Sequence, residues 1–423
     1  MGGDKIKRIL FKGDKIIWAV FFIICAISWV EVFSATAREG YKQGSYWLPI
    51  IKHSVFLLAG MVVVWFMHNM KVTWIRKLTL VIYWVGVAGL IWAQFDTSSK
   101  INDSARWISI MGMTFQPMEL AKMGLVMVTA LIMTQHQDEE GTDRFALKRI
   151  ILYCALPVLL ILKENLSTTV ILLLTIYFMM FVGRLPGKQL LTILGTAIIG
   201  CIIGISAIML TPDSVSKYDI GNKVVTWKYR IKEAFKPPVP PEEYEITDRN
   251  RQRTHANFAV ASSNIIGCGP GNSVHRKDLT HAYSDFIYAI IIEELGLAGG
   301  FLVLMLYLTI LYRCGKIAKK CDEPYPAYLV MGVGMIITMQ ALLHMFISTG
   351  SFVTGQPLPL ISLGGTSVLI NCLYIGMILS ISRYARKASL RNAETKDKDN
   401  GIATPGTESE TKTKTETITI QNI

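Results

Sequence analysis

Three carboxylates stand in or beside a run apolar enough to cross a bilayer. The run is Phe286 to Tyr312; Asp285 sits at its lip, and Glu293 and Glu294 lie inside it. A charge near the bilayer centre costs about 2.5–3.5 kcal/mol on insertion scales, so an acid there is a candidate for function. The plainer roles are a helix cap for Asp285 and pairing with bases of neighbouring helices for the two glutamates. Two helical turns, roughly 12 Å, separate Asp285 from the glutamates. That exceeds the spacing of paired glycosidase acids, so no two-acid machine on one helix is read here.

Other polar blocks interrupt the apolar chain. Ser104-Ala105-Arg106-Trp107-Ile108 is followed by Phe115-Gln116-Pro117-Met118-Glu119-Leu120-Ala121-Lys122. Pro117 suits the first turn of a helix, and Glu119 and Lys122, three apart, share a face. They form either an internal salt bridge or, with Arg106, the lining of a polar cavity; the guanidinium fork suits phosphate. Lys163-Glu164-Asn165 is either a short exterior turn or a way to bring Glu164 to that cavity. His281-Ala282-Tyr283-Ser284 leads into Asp285 from a glycine-rich stretch at 267–271. Thr354-Gly355-Gln356-Pro357-Leu358-Pro359 runs on to Ser362-Leu363-Gly364-Gly365. Its prolines fix the backbone and its glycines permit close approach. Non-helical backbone at membrane depth is tolerated only where it is buried or lines a cavity; a simple re-entrant turn is the alternative.

These residues need elements to position them. The chain has 423 residues, 51% of them hydrophobic, and its long apolar runs are continuous rather than alternating. That pattern predicts an all-α polytopic membrane protein and excludes a barrel. About ten spans are expected, near 15–36, 48–68, 75–95, 117–135, 149–163, 166–183, 189–210, 286–312, 326–349 and 365–383. One long outer loop, 211–285, lies between the seventh and eighth, with a helix expected at 254–266. The transmembrane domain is read as residues 1–387. From Ala388 onward the Thr-, Lys- and Glu-rich composition predicts a disordered cytoplasmic tail, 388–423.

The net charge of +12 is read topologically, not as a nucleic-acid surface. Lys5, Lys7, Arg8, Lys71, Arg76, Arg184, Lys188, Arg313 and Lys316 mark alternate loops as basic, placing both termini in the cytoplasm. The first span is too long for a signal-peptide core and is read as a retained anchor. Seven cysteines without a C-x-x-C pair imply neither a disulfide framework nor a zinc motif; only Cys268 is expected to face outward. No H-E-x-x-H, Walker A or dinucleotide fingerprint occurs.

In this order, the blocks around Arg106-Trp107, Gln116 to Lys122, His281 to Gly296 and Thr354 to Ser367 resemble the SEDS family (shape, elongation, division, sporulation), over nearly all of residues 10–385. The resemblance implies a glycosyltransferase that polymerises lipid II, an undecaprenyl-diphosphate-linked disaccharide peptide, on the outer face of the bacterial inner membrane. It places the family's essential aspartate on Asp285. The substrate side is expected to include Arg106, Trp107, Gln116, Glu119, Lys122, His281, Ser284, Glu293, Glu294, Thr354, Gly355, Pro357, Ser362, Gly364 and Gly365. A divalent cation, Mg or Mn, is an expected aid to diphosphate departure, its protein ligands unknown. A single-span class B penicillin-binding transpeptidase and division-complex membrane proteins are the implied partners, with contact through outer spans such as the eighth and ninth. The last loop and the 257–273 stretch look closer to the division branch. An elongation polymerase and a lipid II flippase are the alternatives.

Overall fold

The computed structural model describes residues 12–36, 47–95, 108–110, 113–138, 141–212, 219–234, 246–247, 250–279, 282–350 and 355–399. Nine of its helices are long and apolar enough to cross a membrane: α1 (Lys15–Ala35), α2 (Trp47–Asn69), α3 (Val72–Phe95), α4 (Pro117–Gln135), α5 (Arg144–Glu164), α7 (Gly187–Leu210), α10 (Ile287–Ala318), α11 (Pro324–Ser348) and α12 (Gly365–Asp399). A tenth apolar helix, α6 (Leu166–Val182), has 17 residues, at the short end of what spans a bilayer. Two short antiparallel hairpins, β1–β2 (Ile108–Ile110 with Met113–Phe115) and β3–β4 (Gln137–Asp138 with Gly141–Thr142), fill turns between spans.

Local chemistry sets the helix ends. Asp14 caps α1 by accepting from the backbone N–H groups of Ile16 (2.9 Å) and Ile17, and Arg313 pairs with the same carboxylate from the far end of α10. Pro117 starts α4 at the position where its missing N–H costs nothing. Asn165 ends α5 and caps α6 through Thr168 N (3.2 Å).

Helices α4 and α11 form the inner layer, buried along most of their length; α7 lies outermost, with Leu190 as its one buried residue. The expectation that the ninth span, α11, docks partners is therefore corrected: it packs against α4, α6 and α10 and is interior. Backbones come unusually close where α3 crosses α4. A Cβ on Gly86 would meet Ala121 Cα at 2.7 Å, and one on Gly124 would meet Tyr83 Cα at 2.7 Å. Small residues allow that approach where helices associate without a hydrophobic drive.

The eighth span differs most from expectation. It is longer, ending at Ala318, and it is broken at Gly296, whose φ of 74° and ψ of −178° are not helical. Residues 264–269 insert into the break. Leu297 N and Ala298 N, which in an unbroken helix would bond the carbonyls of Glu293 and Glu294, donate instead to Asn264 O (3.0 Å) and Ile265 O (3.1 Å). The two freed carbonyls accept from Cys268 N (3.0 Å) and Gly269 N (2.8 Å). These four backbone groups at the break thus find partners, as buried backbone requires.

The segment between α7 and α10 is not plain loop. It carries α8 (Asp219–Ala234), α9 (Arg251–Ala261) and a 3-10 turn at His275–Lys277. Helix α9 starts earlier and stops sooner than the expected 254–266. The tail expectation also needs correction: α12 continues to Asp399, because the stretch after Ala388 is rich in Ala, Leu, Arg, Lys and Glu, good helix formers that extend an existing helix. Residues 400–423 lie outside the described residues.

Candidate active site at one end of the bundle

Up-and-down connectivity brings the ends of α1, α3, α5, α7 and α11 to the same end of the bundle as the starts of α2, α4, α6, α10 and α12. The candidate residues that the structure describes lie at or near that end. The opposite end carries the basic loops.

The turn holding Asp285 is tied to the last loop. Ser362 Oγ donates to Ser284 O (2.7 Å) and accepts from Leu358 N (2.8 Å), while Leu363 N donates to Tyr283 O (3.0 Å). Ser284 Oγ donates to Asp285 Oδ1 (2.8 Å). Asp285 is not the helix cap: Phe286 occupies that position, with no side-chain cap bond. Below the turn, Phe286 packs with Ala256, Ala259, Leu279 and Ala282 in a small apolar cluster of its own.

The loop 355–364 is pinned from four helices. Ser28 Oγ donates to Ile361 O (2.9 Å), Gln340 Nε2 to Pro357 O (3.4 Å), His344 Nδ1 to Gln356 O (2.6 Å) and Tyr307 OH to Pro359 O; Gln356 Nε2 donates to Thr168 Oγ1. Side chains thereby satisfy backbone carbonyls that water cannot reach. Leu360 is held at φ 67°, a conformation that costs a branched side chain about 1–3 kcal/mol and that persists only where packing dictates it.

Glu119 and Lys122 form the expected pair, Nζ to Oε1 2.7 Å, at 2% and 1% exposure. Lys122 Nζ also donates to Gln340 Oε1 (3.2 Å). The pair therefore reaches the last loop through Gln340 rather than lining an open cavity, and Glu119 Oε2 has no hydrogen-bond partner.

Glu293 and Glu294 are buried, at 4% and 0% exposure, and their oxygens are taken up by the inserted segment. Glu293 accepts from Ser273 Oγ (2.5 Å), Val274 N (2.9 Å) and His275 N (3.4 Å). Glu294 accepts from Gly271 N (2.9 Å), Ser273 N (3.2 Å) and Ser34 Oγ (2.5 Å), with Arg276 3.9 Å away. Their expected substrate contact is corrected to an anchoring role: amides of a glycine-rich turn solvate carboxylates that the membrane would otherwise reject. Burial, followed by the charges of Glu293 and Glu294, raises the Cys268 thiol above its ordinary range.

Of the remaining candidates, Gln116 is buried at the N-cap of α4 without capping it. Gly355 is exposed, Pro357 and Gly364 are half-buried, and Gly365 lies against the Phe56 ring. Arg106, Trp107, His281 and Thr354 lie outside the described residues. Glu164 meets Gln94 (3.4 Å) in a shallow cleft beside Pro117 and Met118. Sequence reasoning missed Glu31, a fully buried acid on α1 beside Glu294, neither of whose oxygens has a hydrogen-bond partner. Its position inside the first apolar run was the available signal. It also missed Gln340, His344 and Gln356, whose roles depend on which helices meet.

The chain matches the FtsW/RodA/SpoVE cell cycle protein family over residues 14–387. It is 27% identical over 374 residues to the probable peptidoglycan glycosyltransferase FtsW of Halomonas elongata, covering 86% of this chain and 89% of that one. It is also 27% identical over 412 residues to the probable FtsW of Haemophilus influenzae, covering 93% and 97%. Among solved structures it resembles a chain of a peptidoglycan synthase complex that coordinates polymerization and crosslinking (TM-score 0.67, 21% identity, 88% and 98% covered). The rod shape determining protein RodA of Thermus thermophilus has the same fold (TM-score 0.59, 19% identity, 88% and 97% covered).

Proposed function

This chain belongs to the FtsW/RodA/SpoVE cell cycle protein family, and from that premise we propose that it is a septal peptidoglycan glycosyltransferase whose general base is Asp285. One observation carries the assignment of the base. Of the five acids singled out, Glu119, Glu293 and Glu294 are buried and engaged; Asp285 and Glu164 are only partly buried, and of these two it is Asp285 whose turn is tied to the last loop at the lip of the bundle, whereas Glu164 meets Gln94. A base must reach the proton it removes.

The substrate is lipid II, and the site end of the bundle faces outward because the opposite end carries the basic loops. A hydroxyl of one sugar attacks the anomeric carbon of another. The new carbon–oxygen bond forms as the bond to the lipid diphosphate breaks, and Asp285 takes the hydroxyl proton. Ser284, hydrogen-bonded to the carboxylate, and Ser362, which holds the Ser284 carbonyl, fix the angle at which it is presented. The relatives named above carry the division name, which favours septal over elongation synthesis.

Among the described residues the one cluster of His, Cys, Asp and Glu able to hold an ion excludes Asp285. A divalent cation would come with the substrate's own diphosphate, as its counterion. The partner is a single-span class B penicillin-binding transpeptidase; the similarity to a chain of a synthase complex that couples polymerization to crosslinking supports this reading.

The test is glycan polymerisation by purified protein given lipid II, with and without the transpeptidase. Asp285→Ala and Asp285→Asn are expected to form no chains while inserting and folding normally. Near-normal chain formation by Asp285→Asn would rule out the base.

A further inference from the structure

Away from Asp285, a second group of side chains converges without a role in the reaction. His255 on α9, with His275 and Asp278 at the 3-10 turn, places one ligand atom each so that all three lie within 4.8 Å of one another. His255 Nδ1 is 3.8 Å from Asp278 Oδ2, sealed from solvent, and without a hydrogen-bond partner. A buried nitrogen left unpaired is costly, and a bound cation would supply what it lacks. Phe258 walls the group, its ring centroid 6.0 Å from that of His255 and 5.9 Å from that of His275. The Asp278 side chain is half exposed and leaves an entry path.

We propose that His255, His275 and Asp278 bind one zinc-class divalent ion, with water as the fourth ligand. Two imidazoles and a carboxylate suit borderline ions, whereas magnesium prefers an all-oxygen shell. Bonds of about 2.0–2.2 Å to a tetrahedral ion put ligand atoms roughly 3.3–3.6 Å apart, so the group closes by about 1 Å on binding. The ion has a positioning role. It ties α9 to the turn whose amides rest on Glu293. That turn leads through Leu279 and Ala282, in the apolar cluster with Phe286, to Asp285. The alternative for the same geometry is a simple imidazolium–carboxylate pair, which needs no metal.

The experiment uses the full chain in detergent, purified without a polyhistidine tag and stripped with a chelator. Titration with cobalt(II) is followed by visible absorption, then zinc and magnesium compete. Expected are one equivalent of cobalt with the d–d bands of a low-coordinate nitrogen–oxygen site, displacement by stoichiometric zinc but not by about 100-fold excess magnesium, and a higher melting temperature with zinc. His255→Gln and His275→Gln are each expected to weaken binding at least about 100-fold. Absence of saturable one-to-one uptake by the unmodified chain overturns the proposal, whatever the variants do. Undiminished uptake by the His255→Gln, His275→Gln double variant overturns it as well.

Discussion

At the scale of single residues, burial decides what each charge can do. The Glu119–Lys122 pair lies where neither partner can be solvated, so removing one charge strands the other. Lys122→Met is expected to destabilise the protein by about 3–5 kcal/mol and to loosen the last loop through Gln340. The charge-swapped double Glu119→Lys, Lys122→Glu should recover part of that loss. Thermal unfolding of the four members of the cycle checks this, and purely additive losses would count against the pair. Cys268 reports on the inserted segment. Its thiol is raised by burial and by the two glutamates, and the thiolate is the reactive form. Its alkylation by maleimide should therefore be slower at pH 7.5 than that of a free thiol and should climb as pH rises above the ordinary cysteine range. Glu293→Gln should speed the reaction at pH 7.5 by removing one of the charges. A rate at pH 7.5 equal to that of a free thiol would mean that the segment does not sit on Glu293.

At the scale of elements, the broken α10 is the device that positions the proposed site. Its N-terminal half presents Asp285, and its break receives the segment that grips Glu293 and Glu294. Gly296 has the positive φ that a side chain resists, and a Cβ there would collide with the carbonyl of Ile265. Gly296→Ala is expected to cost at least about 1–3 kcal/mol and to abolish polymerisation with Asp285 untouched. Gly200→Ala on α7, where a Cβ meets nothing within 4 Å, should leave both unchanged. Melting temperature and chain formation, measured side by side, test the contrast.

At the scale of the whole molecule, the bundle separates chemistry from anchoring: engaged acids and pinned loops at one end, basic loops at the other. A transpeptidase spanning the membrane must then meet a helix with an apolar face turned outward. Phe301 and Met305 of α10 are exposed, whereas α11 offers little. Photo-crosslinkers at Phe301 or Met305 are expected to capture a class B penicillin-binding protein in cells, and one at the buried Ile336 of α11 is not. Capture from Ile336 alone would refute this arrangement. Cysteines placed near Lys188 and in the 262–268 segment should label from opposite faces of the membrane; labelling from the same face would refute the orientation.

Continuous apolar runs, together with the absence of water to satisfy a backbone inside a bilayer, determined the ten apolar helices and most of their limits from sequence alone. Spacing determined the Glu119–Lys122 pair, because both partners lie on one helix. Asp285 was legible as an acid beside an apolar run. Two adjacent acids in a span could be read in sequence as substrate residues or as partners of bases on neighbouring helices. Only the tertiary structure distinguished these roles, since their partners, at positions 34 and 271–276, come from another helix and a distant turn. Gly296 looked like an ordinary glycine in a span until residues 264–269 were seen to take over its broken hydrogen bonds. Pairings within one helix follow from periodicity, while contacts between distant segments depend on packing that no local pattern encodes.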